Sequence, residues 1–251
     1  MVAVPAGEVA LQDRRAGTAW EVEVRPFALA AVPVTRGLYR EVMERAVSGR
    51  VSQAHGDEPV QQVPDRRGSG HPFSGDRDEE TGPGDGVPIT EVSWFDSLRF
   101  CDLLSHAHGL EPCYGTSGRG RGPDGEDVRS DPDAGGYRLP TEAEWEHACR
   151  AGDSAVRYGD LDTIAWHRKN SGGRPQGVGG REPNAWGLHD MIGNVWEWCW
   201  DFYDPRVYGP YRVFRGGGWN DRHWGCQASA RRKSHPTLRI DDLGFRVARS
   251  L

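Results

Sequence analysis

Apolar and β-branched residues alternate or run together over Val2 to Leu11 and again over Trp20 to Ala31, a pattern that predicts strands. After Pro33-Val34-Thr35 the period changes. Leu38, Tyr39, Val42, Met43 and Ala46 recur every three or four residues, as on one face of a helix. Ser93 opens a second helical stretch as an N-cap, with Asp96 three residues on as its capping partner. Phe95, Leu98, Cys101 and Leu104 form its apolar face, and Gly109 stops it. Thr141 opens a third helix with Glu144 completing the capping box, Trp145, Ala148 and Cys149 facing inward, and Gly152 at the end. Ser48 to Gly86 and Tyr114 to Gly136 are poor in large apolar residues and predict long loops. Beyond Gly152 no further helix is expected. A Gly-, Pro- and Asn-rich stretch, Ala165 to Leu188, leads to short strands at Val195–Trp200, Tyr211–Arg215 and Gly244–Arg249. No period of roughly 20 to 50 residues recurs, which excludes a solenoid or a propeller. The pattern predicts a single α+β domain over residues 1–251, helices first and an irregular β region last.

Composition sharpens that picture. The chain of 251 residues carries 10 Trp and 34 Gly, which suits short strands and long ordered loops pinned by aromatic side chains. At 36% apolar and 27% charged it can build a core. A net charge of −6 gives no reason to expect nucleic acid or an acidic membrane as partner. The first residues lack a basic-then-apolar signal pattern, and no apolar run approaches the roughly 20 residues that span a bilayer. A cytoplasmic location is the expectation. The five cysteines, Cys101, Cys113, Cys149, Cys199 and Cys226, are odd in number, widely spaced and free of any CxxC. A disulfide framework or a zinc ribbon is therefore not expected.

The chemistry concentrates between Asn184 and Trp198. Glu197 lies between Trp196 and Trp198 on a short apolar strand, where a carboxylate needs a cation or hydrogen bonds. Two readings stand. Asp190 and Glu197, with the carbonyls of Gly193 and Val195, form an oxygen set suited to Ca²⁺. Alternatively, Glu197 pairs with a buried arginine such as Arg231 or Arg246.

The blocks Tyr137-Arg-Leu-Pro-Thr-Glu-Ala-Glu-Trp145-Glu, Gly193-Asn-Val-Trp-Glu-Trp198, Arg215-Gly-Gly-Gly-Trp219 and Gly244-Phe-Arg-Val-Ala248 resemble the successive blocks of the formylglycine-generating-enzyme, or sulfatase-modifying, family. Pro33-Val-Thr35 and Val92-Ser-Trp94 resemble its earlier blocks. The resemblance covers nearly the whole chain in order. It implies a C-type-lectin-like fold, α+β with little regular secondary structure, and a structural Ca²⁺ at Asp190, Gly193, Val195 and Glu197.

The best-known members of that family oxidise a cysteine to formylglycine with O₂ and a copper(I) ion held by two cysteines. This chain departs from them. Asp221 stands where the first thiolate would be, and Cys226 aligns with the second only across a three-residue deletion. A hard carboxylate does not replace a soft sulfur for Cu(I), so copper is not expected. Another branch oxidises histidine derivatives with iron held by histidines of an additional helical domain. His106 and His108 stand two apart on a helix and point to different sides, and His189, His223 and His235 lack the spacing of a metal triad. A third branch, the variable proteins of diversity-generating retroelements, displays the equivalent stretch as a receptor surface.

Two functions remain from the sequence. One is the binding of a peptide, protein or small-molecule ligand by the 219–242 surface, through Trp219, Asn220, Asp221, Arg222, Trp224 and Arg231. The other is a metal-dependent oxidase of the formylglycine-generating type, with Cys226 as a lone catalytic thiolate. Trp224 is either a buried aromatic or an exposed anchor. Arg231 and Arg246 also read as structural partners of buried carboxylates, and Glu142 and Glu144 as capping or exposed residues.

Overall fold

The computed structural model describes residues 1–13, 16–54, 84–115, 128–131 and 133–251. Four strands come first: β1 (Val2–Val4), β2 (Gly7–Asp13), β3 (Thr18–Val24) and β4 (Phe27–Leu29). Helices α1 (Arg36–Ala54) and α2 (Trp94–Ala107) follow, then β5 (Tyr137–Arg138), α3 (Glu142–Arg150) and the single turn α4 (Leu161–Ile164). The C-terminal part holds β6 (Trp196–Phe202), the turn α5 (Pro205–Tyr208), β7 (Arg212–Arg215), β8 (Arg231–Ser234), β9 (Leu243–Gly244) and β10 (Ala248–Ser250). The expected α+β class holds.

The strands form a sheet ordered β1-β4-β10-β5, a hairpin β2-β3, and a sheet ordered β8-β7-β6-β9. In the first sheet β10 pairs antiparallel with β4 (Ala248 opposite Leu29), so the last strand closes onto one of the first. Proline explains why each of the two long N-terminal runs is two strands. Pro5 and Pro26 lack the N–H that a ladder needs, and they fall where the chain leaves one sheet for another.

Both predicted capping boxes are present. Ser93 and Asp96 exchange hydrogen bonds at the start of α2, and Thr141 and Glu144 do so at α3. Helix α3 ends on Ala151 at φ 47° and Gly152 at φ 86°, a left-handed exit that favours glycine. Helix α1 continues to Ala54, past the loop expected from Ser48; the remainder of that loop, 55–83, lies outside the described residues, as do 116–127 and 132 of the second. Two short helices follow Gly152, where none was expected. Four residues are too few to show a period, and each turn is set instead by an aspartate cap, Asp160 and Asp204. Strand β8 was also unforeseen. Its sequence, Arg-Arg-Lys-Ser, carries no apolar alternation, and it forms because it pairs with β7 over four residues.

Two apolar clusters fill the interior. One packs Trp145, Met191, Ile192, Cys199 and Cys226 beneath β1 to β4; the other packs Trp94, Phe100, Trp196, Trp198 and Phe245 around α2. Trp94, Trp145, Trp196 and Trp198 are fully buried. Each indole N–H donates to a fixed acceptor: the Cys199 carbonyl, the Glu197 carboxylate, the Asp221 carboxylate and the Val92 carbonyl. These bonds satisfy groups that would be costly to bury bare, and they hold β6 in position beneath the 219–242 surface.

Candidate functional site

The core of the C-terminal third is built on paired charges. Glu197 has no exposed surface, and both its oxygens are engaged. Arg246 donates from Nε to Oε2 at 2.6 Å and from Nη2 to Oε1 at 2.6 Å, and Trp145 Nε1 donates to Oε2 at 2.7 Å. Arg246 donates further to the carbonyls of Ala30 and His189. Of the two readings of Glu197, pairing with Arg246 is the arrangement present.

Asp190 is buried too. Its Oδ2 accepts from the Gly179 N–H at 2.7 Å, and Oδ1 lies 3.4 Å from Asn194 Nδ2. Burial pushes its carboxyl above the ordinary range. Of the expected calcium set of Asp190, Gly193, Val195 and Glu197, the Glu197 carboxylate is already neutralised by the Arg246 guanidinium, and bringing a second cation alongside it adds repulsion. Gly193 has a backbone role of its own. At φ 80°, a Cβ there would stand 2.4 Å from the Trp166 carbonyl oxygen.

A second charge chain runs from α3 to β2. Glu146 pairs with Arg150 and Arg215, Glu142 with Arg215 and Arg231, and Arg231 with Asp13. Glu142 is therefore buried and ion-paired, a correction to its reading as a capping or exposed residue. The i,i+4 spacing of Glu142 and Glu146 puts both on one helix face, which was the available signal. Arg231 offers little to a ligand: Nε and Nη2 donate to Glu142, and Nη1 to Asp13.

Asp221 is also committed. Oδ2 accepts from Trp196 Nε1 at 2.6 Å and from the Gly218 N–H at 2.9 Å, while Oδ1 accepts from Arg232 Nη2 at 2.8 Å. It pins the turn that carries the surface. Cys226 belongs to the core, with no exposed surface. Burial first, and then the Asp221 charge, push its thiol up to about 12. A thiol raised in this way disfavours the thiolate form that a nucleophile or a copper ligand uses. The other cysteines are buried and free as well. Among the described residues, no group of three or more His, Cys, Asp or Glu side chains is placed to hold a metal.

What faces outward is Trp224, 53% exposed. It stands on the loop after Asp221, and Arg157 holds that loop from behind by donating to the carbonyls of Cys226 and His223. The Arg222 guanidinium lies 5.0 Å from the Trp224 ring centroid. Asn220 is exposed, and Trp219 is half-buried with its indole N–H on the Asp241 carbonyl. Trp224 walls a cavity of about 220 Å³ together with Trp196, Tyr203, Gln12, Asp13, Gln227, Arg231 and Arg232. The structure thus brings Trp224 and Arg231 to one cavity, with the Arg222 guanidinium beside Trp224. Asp221 lies beneath as a support, and Trp219 and Asn220 do not line it. Tyr203, Gln12 and Asp13 join from distant parts of the chain. A neighbouring cavity of about 470 Å³ shares Tyr203 and Arg231 and is walled by the half-exposed Trp20 of β3.

The sequence profile of the sulfatase-modifying factor enzyme 1-like domain matches residues 1–251. The chain is similar to chaperone protein LppX of Paenibacillus barcinonensis, 30% identical over 199 residues, covering 66% of this chain and 71% of that protein. It is similar to inactive C-alpha-formylglycine-generating enzyme 2 of Mus musculus, 29% identical over 279 residues, covering 93% of this chain and 78% of the relative. Among solved structures, Treponema denticola variable protein 1 superposes with a TM-score of 0.78 at 27% identity, covering 100% of this chain and 95% of that one. The C-type-lectin-like fold expected from the sequence blocks is the fold of this chain.

Proposed function

We propose that this chain, which belongs to the sulfatase-modifying factor family of formylglycine-generating-enzyme domains, is a binding member of that family and not a copper oxidase. The observation that carries this reading is the state of Asp221. A carboxylate stands where the first copper thiolate of the resembled enzymes would be, and three hydrogen bonds tie it into the fold. The remaining sulfur, Cys226, is buried, and burial holds its thiol well above the ordinary range. Cu(I) needs soft thiolates, and this surface offers none.

The same surface carries features of a binding site. Trp224 is a large, exposed aromatic on a loop held by Arg157 and Asp221, so it loses little freedom when a ligand packs on it. Aromatic anchors beside a cavity with a polar rim are where binding energy concentrates. The mouse relative named an inactive enzyme supports a non-catalytic use of the scaffold.

The test is a fragment library of anionic, cationic and neutral rings, screened by ligand-observed NMR against the native chain and Trp224→Ala. The reading expects saturable hits that disappear in the variant. Hits indifferent to Trp224, or no hits together with turnover of a cysteine peptide under O₂ and copper, would overturn it.

A further inference from the structure

Resting on the reading of the Trp224 cavity as a ligand site, we propose that it takes a planar ring bearing an anionic group, such as a small aromatic carboxylate or phosphate.

Shape argues for a ring. A volume of about 220 Å³ is below the ~300 Å³ lower bound of drug-sized pockets and suits one ring system with a short substituent. Its walls include the exposed Trp224 and the partly exposed Tyr203, while Trp196 lies beneath, fully buried and covered by Arg232. Offset stacking on such faces favours a flat partner.

Charge argues for an anion. The lining holds the guanidiniums of Arg231 and Arg232 and one carboxylate, Asp13; Arg231 is spent on Glu142 and Asp13, so Arg232 is the lining cation with donors to spare. Asp13 is spent: Oδ2 accepts from Arg231 Nη1, and Oδ1 accepts from the Ala16 N–H. Tyr203 also bonds to Asp13, and burial together with that bond pushes its phenol up to about 12, so it stays neutral. Arg232 differs from Arg231. Its side chain is 49% exposed and gives only Nη2 to Asp221, which leaves Nε and Nη1 without a hydrogen-bond partner among the described residues. It also lies over the Trp196 ring at 4.5 Å, which fixes its plane at the cavity wall. Arg222 adds a second cation beside Trp224, exposed, its guanidinium 5.0 Å from the ring centroid and with no ion pair among the described residues. A guanidinium fork matches carboxylate or phosphate geometry with paired hydrogen bonds, and the neighbouring indole restrains each fork before the ligand arrives. A cationic ring would meet Arg232 in the wall and Arg222 beside Trp224, with the one lining carboxylate, Asp13, already engaged by Arg231.

The experiment titrates the full chain with phenyl phosphate, benzoate and benzylamine, read by quenching of indole fluorescence and by saturation-transfer NMR. Phenyl phosphate and benzoate should bind at least tenfold more tightly than benzylamine and weaken as salt rises. Arg222→Ala, which breaks no ion pair, should weaken phenyl phosphate several-fold; Trp224→Ala should abolish it. Thermal melts confirm that both variants are folded. A phosphotyrosine peptide is a further arm. If it binds far more tightly than phenyl phosphate, and in a Trp224-dependent way, the anionic ring is supplied by a protein. The proposal is overturned if benzylamine binds as well as the acids, or if the acids bind regardless of Arg222 and Trp224. If neutral or cationic fragments bind through Trp224 and the acids do not, the ligand-site reading stands and the anion preference falls.

Discussion

Replacing Arg246 with methionine isolates the ion pair on which the C-terminal third is built. The substitution keeps most of the aliphatic volume and removes the guanidinium. Glu197, with no exposed surface, then loses two 2.6 Å hydrogen bonds and keeps only the Trp145 N–H; the carbonyls of Ala30 and His189 each lose a donor. Removing one partner of a buried pair costs roughly 3–5 kcal/mol, because a bare charge is left in low dielectric. At about 2–4 °C per kcal/mol for a chain of this size, the melting temperature should fall by roughly 6–20 °C. Urea titration followed by tryptophan fluorescence measures the change directly. Adding Glu197→Leu should recover a large part of the loss, since a packed apolar pair replaces a buried ionic one at little cost. A loss below about 1 kcal/mol in Arg246→Met, on the scale of an exposed pair, would refute the assignment of Arg246 as the partner that neutralises Glu197.

Three further outcomes follow from the same geometry. Chelation with EGTA should leave the melting temperature unchanged; a fall of several degrees that Ca²⁺ reverses would put an ion back at Asp190, Gly193, Val195 and Glu197. Asp201, whose carboxyl is raised to about 6 by burial first and then by Glu142, should yield a pH-dependent gain when changed to Asn. Because its folded value lies above its unfolded one, the acid's stabilising share is present below about pH 4 and lost as pH rises through about 6. Asp201→Asn should therefore stabilise by up to ~3 kcal/mol at pH 8 and show little gain at pH 4; a pH-independent difference between the two melts would contradict this. Cys226, buried with its thiol pushed up to about 12, should resist a thiol reagent at pH 7.5 in the native chain and react once unfolded in urea; rapid native labelling lost in Cys226→Ala would contradict its core placement.

Local features were readable from the sequence because their partners are near in the chain. Ser93 with Asp96, and Thr141 with Glu144, lie three residues apart, and both boxes form. The fold class followed from blocks that keep their order. The pair of Glu197 and Arg246 was one of two readings, since a carboxylate between two tryptophans announces a need for a cation without saying which one. Features that depend on long-range contact were hidden. Glu142 looked like a cap because Arg231, its partner, is 89 residues away. Strand β8, Arg-Arg-Lys-Ser, has no apolar residue and is a strand only because β7 lies alongside. The cavity beside Trp224 joins Gln12, Asp13 and Tyr203 to residues 224–232, and no spacing in the sequence brings those together. Asp221 was the reverse case. Its departure from the enzyme pattern was visible at once, but its work under the surface, holding Trp196, Gly218 and Arg232, was not.

A scaffold with Asp221 in place of a thiolate and Cys226 in its core should not hold copper. Cu(I) titration of the reduced chain against a competing chelator, with Cys226→Ala alongside, should give no stoichiometric complex and identical curves for the two proteins. A tight one-to-one complex in the native chain, abolished in Cys226→Ala, would contradict it.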